Sequence, residues 1–194
     1  MTGSVDVLVV GVGGQGVILA SNVIGRACLE EGREVRAAET HGMAQRGGSV
    51  ESHVRIDGRF GPLIPPGGAD LMISFDLLET LRYRHYLPPG GTVIQNDRVL
   101  VPTSVFVQEL EIPDRDRLLD GIGDLDLVLI DAEARAREAG SALTQNVVML
   151  GLASHFMPLN AESIRAGVRA NVPQKTIDIN IAAFEKGRDA WSRR

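Results

Sequence analysis

Val5-Asp-Val-Leu-Val-Val-Gly-Val-Gly-Gly-Gln-Gly16 decides the fold. Val5 to Val10 is a short apolar, β-branched run and reads as a central parallel strand. Gly11 to Gly16 satisfies G-x-G-x-x-G and follows directly. Val17 to Glu31 then carries apolar residues at Val17, Ala20, Ile24, Ala27 and Cys28, one face of a helix, with Gly32 as its stop. Glycines in such a turn let backbone N–H groups approach an anion, and a helix N-terminus adds roughly half a positive charge. Gly11, Gly13, Gly14, Gln15 and Gly16 are therefore candidates for a phosphate site. A tight strand-to-helix turn with no ligand needs the same residues.

Outward from this unit, Glu34 to Ala38 reads as the second strand of a βαβ unit, and Glu39 to Gly48 as a loop. Ser49 to Ile56 alternates, with Val50, Ser52, Val54 and Ile56 on one side and Glu51, His53 and Arg55 on a solvated or functional face. Leu71 to Phe75 reads as a buried strand, Asp76 as the cap of a short helix, Thr92 to Gln95 and Leu127 to Ile130 as further strands. Val105 to Leu110 is strand-like. Helices are expected over Ala132 to Ala139, Gln145 to Phe156, Ala161 to Ala170 and Thr176 to Trp191. Strands alternating with helices predict an α/β domain in three layers, a largely parallel sheet with helices on both faces and a Rossmann-like start. One domain is expected over residues 1–194, its C-terminal helices from about 145 packing on it or on a partner.

Composition excludes several functions. The 194 residues carry 20 basic and 25 acidic side chains, net −5, and only 4% aromatics, which does not suit a reader of nucleic acid. One cysteine, Cys28, can hold neither an internal disulfide nor a cluster, and no metal site is expected. No apolar run approaches the ~18–20 residues of a membrane span. The chain starts almost directly with a strand, without a signal-like segment, so a cytoplasmic location is expected.

The most informative stretch is Glu39-Thr40-His41-Gly42-Met43-Ala44-Gln45-Arg46-Gly47-Gly48-Ser49. A dinucleotide fold wants an acidic residue near Glu39 for the ribose, but not the dense polar loop that follows. Arg46 suits bidentate bonds to phosphate or carboxylate. His41 suits a hydrogen-bonding role, and Gly47 with Gly48 permits close backbone approach. At the carboxyl ends of parallel strands this loop would face the glycine loop. Asn146, early in a helix, either caps it or reaches the same edge.

Together, Gly11-Val-Gly-Gly-Gln-Gly16 and Glu39-Thr-His-Gly-Met-Ala-Gln-Arg-Gly-Gly48 resemble the gamma-type domain of the 2-oxoacid:ferredoxin oxidoreductases. The second motif points to the indolepyruvate branch of that family. The resemblance continues through Pro62 to Pro65, Ala69-Asp70, Leu87 to Val93, Asn146 to Gly151 and Asn180 to Gly187, nearly the whole chain. It implies an enzyme that decarboxylates a 2-oxoacid on thiamine diphosphate with magnesium, passes electrons through [4Fe–4S] clusters to ferredoxin, and releases an acyl-coenzyme A. It implies that a large alpha subunit holds those groups and that this chain supplies the gamma domain, with Gly11, Gly13, Gly14, Gln15, Gly16, Glu39, Thr40, His41, Gln45, Arg46, Gly47, Gly48 and Asn146 near coenzyme A, the thiamine site or the partner. Two other readings stay open: a free-standing NAD- or FAD-binding oxidoreductase, and a purely structural subunit.

Overall fold

A computed structural model describes residues 3–41, 48–101 and 114–192. The Val5–Val12 run forms β1, and the helix after the glycine loop is α1 (Val17–Glu30). Next come β2 (Val35–His41), β3 (Ser49–Ile56), β4 (Leu71–Ser74), α2 (Leu77–Tyr83) and β5 (Thr92–Asn96). Then follow α3 (Arg115–Ile122), β6 (Asp126–Ile130), α4 (Ala132–Glu138), α5 (Gln145–Ala153), α6 (Ala161–Asn171) and α7 (Ile177–Ser192).

The six strands lie in the order β2-β3-β1-β4-β5-β6. β1, β4, β5 and β6 are mutually parallel, as a buried apolar run such as Val7-Leu-Val-Val10 favours. β3 is antiparallel to both β1 and β2. The βαβ unit expected from sequence is thus a split one: α1 carries the chain past β1's neighbouring position, and β3 returns to fill it. β2 also runs on through Glu39, Thr40 and His41, which the sequence reading placed in the loop. Pairing with Thr40↔Glu51 and His41↔Val50 holds those residues extended. The strand-like Val105 to Leu110 lies outside the described residues.

Alternation along the strands sorts the core into two layers. Val7 and Val9 of β1, Ile73 of β4 and Ile94 of β5 pack against α1, α5 and α6, with Ile24, Val148 and Ile164 fully buried there. On the opposite face Leu8, Val10, Met72 and Val93 meet Leu77 of α2 and Leu118 and Ile122 of α3. Burying such side chains stabilises by about 1.5–3 kcal/mol each. α3 was not expected from the sequence; Asp114 caps it by accepting from Arg117 N at 2.9 Å. α5 and α7 touch backbone to backbone: a Cβ at Gly187 would run into the Val148 carbonyl, and one at Gly151 into the Phe184 carbonyl.

Candidate functional site

The strand order reverses between β1 and β4, the position at which open α/β sheets bind ligands. The carboxyl ends of β1 and β2 and the first residue of β3 share this rim, since Val12 pairs with Ser49 and His41 with Val50. Both polar motifs of the sequence therefore converge on one edge. They are also tied directly: Gly13 N donates to Gly48 O at 2.8 Å.

Inside the glycine loop, Gln15 folds back over Gly11, where a Cβ would stand 2.7 Å from Gln15 Oε1. Val12 N donates to that same Oε1 at 2.7 Å, and Gln15 Nε2 donates to Phe75 O at 3.3 Å. Gln15 N is bonded to Val12 O. The inner donors of the loop, Gly13 included, are thus already engaged. Gly14 stands exposed at φ 101°. Gly16 (φ 90°) is the N-cap of α1 and brings no side chain to cap its first turn.

Glu39 is exposed and accepts from Ser21 Oγ of α1 at 3.2 Å, and Thr40 is exposed beside it. Because β3 separates β1 from β2, Glu39 stands about one strand spacing, roughly 4.8 Å, farther from the glycine loop than in a simple βαβ unit. His41 closes β2 at the rim. Gln45, Arg46 and Gly47 lie outside the described residues. Asn146 does not cap α5, whose N-cap is Thr144; it is buried, accepts from Val147 N at 3.0 Å and lies on Gly16. It reaches the shared edge.

Sequence reasoning missed a belt of amides on this rim. Asn96, at the end of β5, donates to Phe75 O at 3.4 Å and to Gln145 Oε1 at 3.3 Å, and accepts from Ala132 N at 3.1 Å. Arg98 adds bonds to Gln145 and to Glu133, the latter at 2.7 Å. The signal was a Gln95-Asn96 pair closing an apolar strand. Asp76, fully buried, caps α2 through Leu78 N and also accepts from Leu100 N at 2.6 Å; burial holds its carboxyl above the usual range.

The opposite face of β3, expected to be solvated or functional, is largely buried. Arg55 forms a bidentate pair with Asp6, its cross-strand neighbour, at 2.9 and 2.8 Å. His53 is 1% exposed. Its Nδ1 accepts from Ile64 N at 3.1 Å, which places the ring proton on Nε2, 3.8 Å from Glu51 Oε1 and without a hydrogen-bond partner among the described residues. Burial pushes the imidazole below its ordinary pKa, against the pull of Glu51. At the rim, Ser49 Oγ bridges Glu79 and Tyr83, whose hydroxyl is 2.8 Å away. Burial raises the Tyr83 phenol.

The residues do not fit an iron–sulfur cluster. Cys28, the single cysteine, sits on the core face of α1, and burial pushes its thiol up to about 12, away from the thiolate form that a cluster ligand takes. Among the described residues no group of three or more His, Cys, Asp or Glu side chains could hold a metal ion, and no helix is long and apolar enough to cross a membrane.

Comparison with known proteins places these features. Residues 6–190 match the family described as pyruvate ferredoxin/flavodoxin oxidoreductase. The indolepyruvate oxidoreductase subunit IorB of Archaeoglobus fulgidus is 40% identical over 186 residues, 94% of this chain and 92% of that protein. IorB of Thermococcus kodakarensis is 40% identical over 188 residues, 94% of this chain and 93% of that protein. Among solved structures, the gamma subunit of keto/oxoacid ferredoxin oxidoreductase from Geobacter sulfurreducens superposes with a TM-score of 0.73 at 22% identity, covering 98% of this chain and 99% of that one. The 2-oxoglutarate:ferredoxin oxidoreductase of Magnetococcus marinus, solved with 2-oxoglutarate, coenzyme A and succinyl-CoA bound, gives a TM-score of 0.77 at 19% identity, covering all of this chain and 32% of that one. At these identities the two structures speak to the fold.

Proposed function

The chain belongs to the pyruvate ferredoxin/flavodoxin oxidoreductase family and is the small subunit of a 2-oxoacid:ferredoxin oxidoreductase, and from that premise we propose that its complex oxidises indolepyruvate and related arylpyruvates to the aryl-acetyl-coenzyme A. The identity to two IorB subunits over nearly the whole chain supports this substrate class.

In this reading a large alpha subunit holds thiamine diphosphate with magnesium and the [4Fe–4S] clusters, and reduces ferredoxin. Thiamine diphosphate would supply the carbanion-stabilising centre for decarboxylation. This chain supplies one wall of the coenzyme A or active-site mouth. The observation that carries the proposal is the Gly13 N–H to Gly48 carbonyl bond, which locks the two polar motifs together on the sheet rim. Gly14 is exposed and the N-cap Gly16 brings no side chain to the first turn of α1, so their backbone N–H groups would serve as donors to a phosphate or carboxylate. Arg46, outside the described residues, would bring a guanidinium.

The experiment is co-expression with the large subunit, assaying ferredoxin-dependent oxidation of indolepyruvate with and without this chain, and then with Arg46→Ala. Loss of turnover without the chain, and weaker apparent affinity for coenzyme A with Arg46→Ala, are expected. Full turnover by the large subunit alone would overturn the proposal.

A second reading has its own support. Gly13 N–H, both ends of the Gln15 amide and Glu39 are bonded within the chain. A purely structural subunit would use these residues in that way, and Arg46→Ala would then leave both substrate affinities unchanged. A free-standing dinucleotide oxidoreductase is disfavoured by the same bonds and by the strand between β1 and Glu39.

A further inference from the structure

The amide of Gln15 spans two elements that are far apart in sequence. Its oxygen accepts from Val12 N at 2.7 Å, and its nitrogen donates to Phe75 O at 3.3 Å, 60 residues away. The side chain is buried, with 7% of its surface exposed. Phe75 O also accepts from Asn96 Nδ2 at 3.4 Å, so one carbonyl joins the glycine loop to the amide belt that reaches Gln145 and the start of α4. Gly11 leaves room for this fold-back: a Cβ there would meet Gln15 Oε1 and, at 3.1 Å, the Cβ of Phe75.

Each polar atom of this buried amide is bonded to backbone inside the fold, so the fold itself fixes its position. We propose that Gln15 is a positioning residue, which sets the height of the glycine loop over β4 so that Gly14 and the first turn of α1 present their N–H groups to the bound anion. The inference rests on the rim being the coenzyme A or active-site mouth. It assigns the binding to backbone donors and the geometry to Gln15. Loss of its two bonds lets the loop drift, and a shift of about 1 Å in a donor set is enough to cost on the order of tenfold to a hundredfold in an oriented interaction.

The test uses the complex of this chain with its large subunit. Gln15→Met keeps the volume and removes both bonds; Gln15→Asn is one methylene shorter, stays polar, and cannot span from Val12 to Phe75. Hydrogen exchange at the Val12 amide reports the loop directly. Both variants are expected to speed that exchange and raise the KM for coenzyme A about tenfold, with kcat at saturating coenzyme A within about twofold. Should Gln15→Met fail to fold, Gln15→Asn carries the same measurement. A lowered melting temperature with unchanged KM would mean a structural role only and overturn the proposal. A raised KM with unchanged exchange at Val12 would place Gln15 on the ligand itself, and overturn it too. Arg46→Ala separates the two levels. If it raises the KM while the Gln15 variants free Val12 and leave KM alone, the positioning role falls and the rim assignment stands. If neither Arg46→Ala nor the Gln15 variants move either substrate's KM, the rim assignment itself falls.

Discussion

The carboxamide of Asn146 rests on Gly16, joining the start of α1 to the start of α5 across the rim. Gly16 sits at φ 90°, and a Cβ there would strike Asn146 Nδ2.

Gly16→Ala therefore combines a strained backbone with an overlap, and is expected to cost about 2–5 kcal/mol. Urea unfolding of the isolated chain measures it. Gly14→Ala, at φ 101° with open space around it, meets only the backbone part, about 1–3 kcal/mol.

The Asp6–Arg55 pair is bidentate and nearly enclosed, with side-chain exposures of 13% and 10%. Asp6→Ala leaves a buried guanidinium and is expected to lose about 3–5 kcal/mol, whereas the double variant Asp6→Leu/Arg55→Met is expected to return to within about 1–2 kcal/mol of the parent. A double variant as unstable as the single one would show that the pair's value is not electrostatic.

His53 gives a pH dependence with a defined sign. Its folded pKa lies below the ordinary 6.5, because burial disfavours the imidazolium. Glu51 acts against that shift and Tyr86 faces the ring edge-on, with the Ile64 amide on Nδ1. The unfolded chain then binds the proton first as pH falls. The contribution of neutral His53 is complete above about 6.5 and is lost on going down towards the folded value, with a slope of at most about 1.4 kcal/mol per pH unit. His53→Gln is expected to flatten that part of the stability curve between pH 7 and 5.

Cys28 is buried and its thiol is pushed up to about 12. Iodoacetamide at pH 8 is expected to leave the native chain unmodified and to add one carbamidomethyl group in denaturant, read by mass spectrometry.

What was legible in the sequence was local. The β1–glycine loop–α1 unit and the Asp76 cap depend on neighbours a few residues away, and both appear where the pattern put them. The convergence of the two polar motifs followed from strand polarity. The place of β3 did not, because a strand's alternation gives its two faces but not its neighbours. For the same reason the Glu51-His53-Arg55 side read as solvated or functional, and its burial was not foreseen. What buries it lies elsewhere in the chain: Asp6, Ile64 and Tyr86. The amide belt escaped because each partner of the Asn96 side chain is at least 21 residues away. α3 escaped because Leu118 and Ile122 are a thin apolar stripe among charges.

The strand order also sets the sequence in which the rim can come apart. β2 is an edge strand and, among the described strands, pairs with β3 alone, so a thermal opening can peel it away without touching β1. Such an event carries off Glu39 and Thr40 and spares Val12 with its partner Ser49. Fraying of that edge therefore reaches the acidic side of the mouth before it reaches the glycine loop.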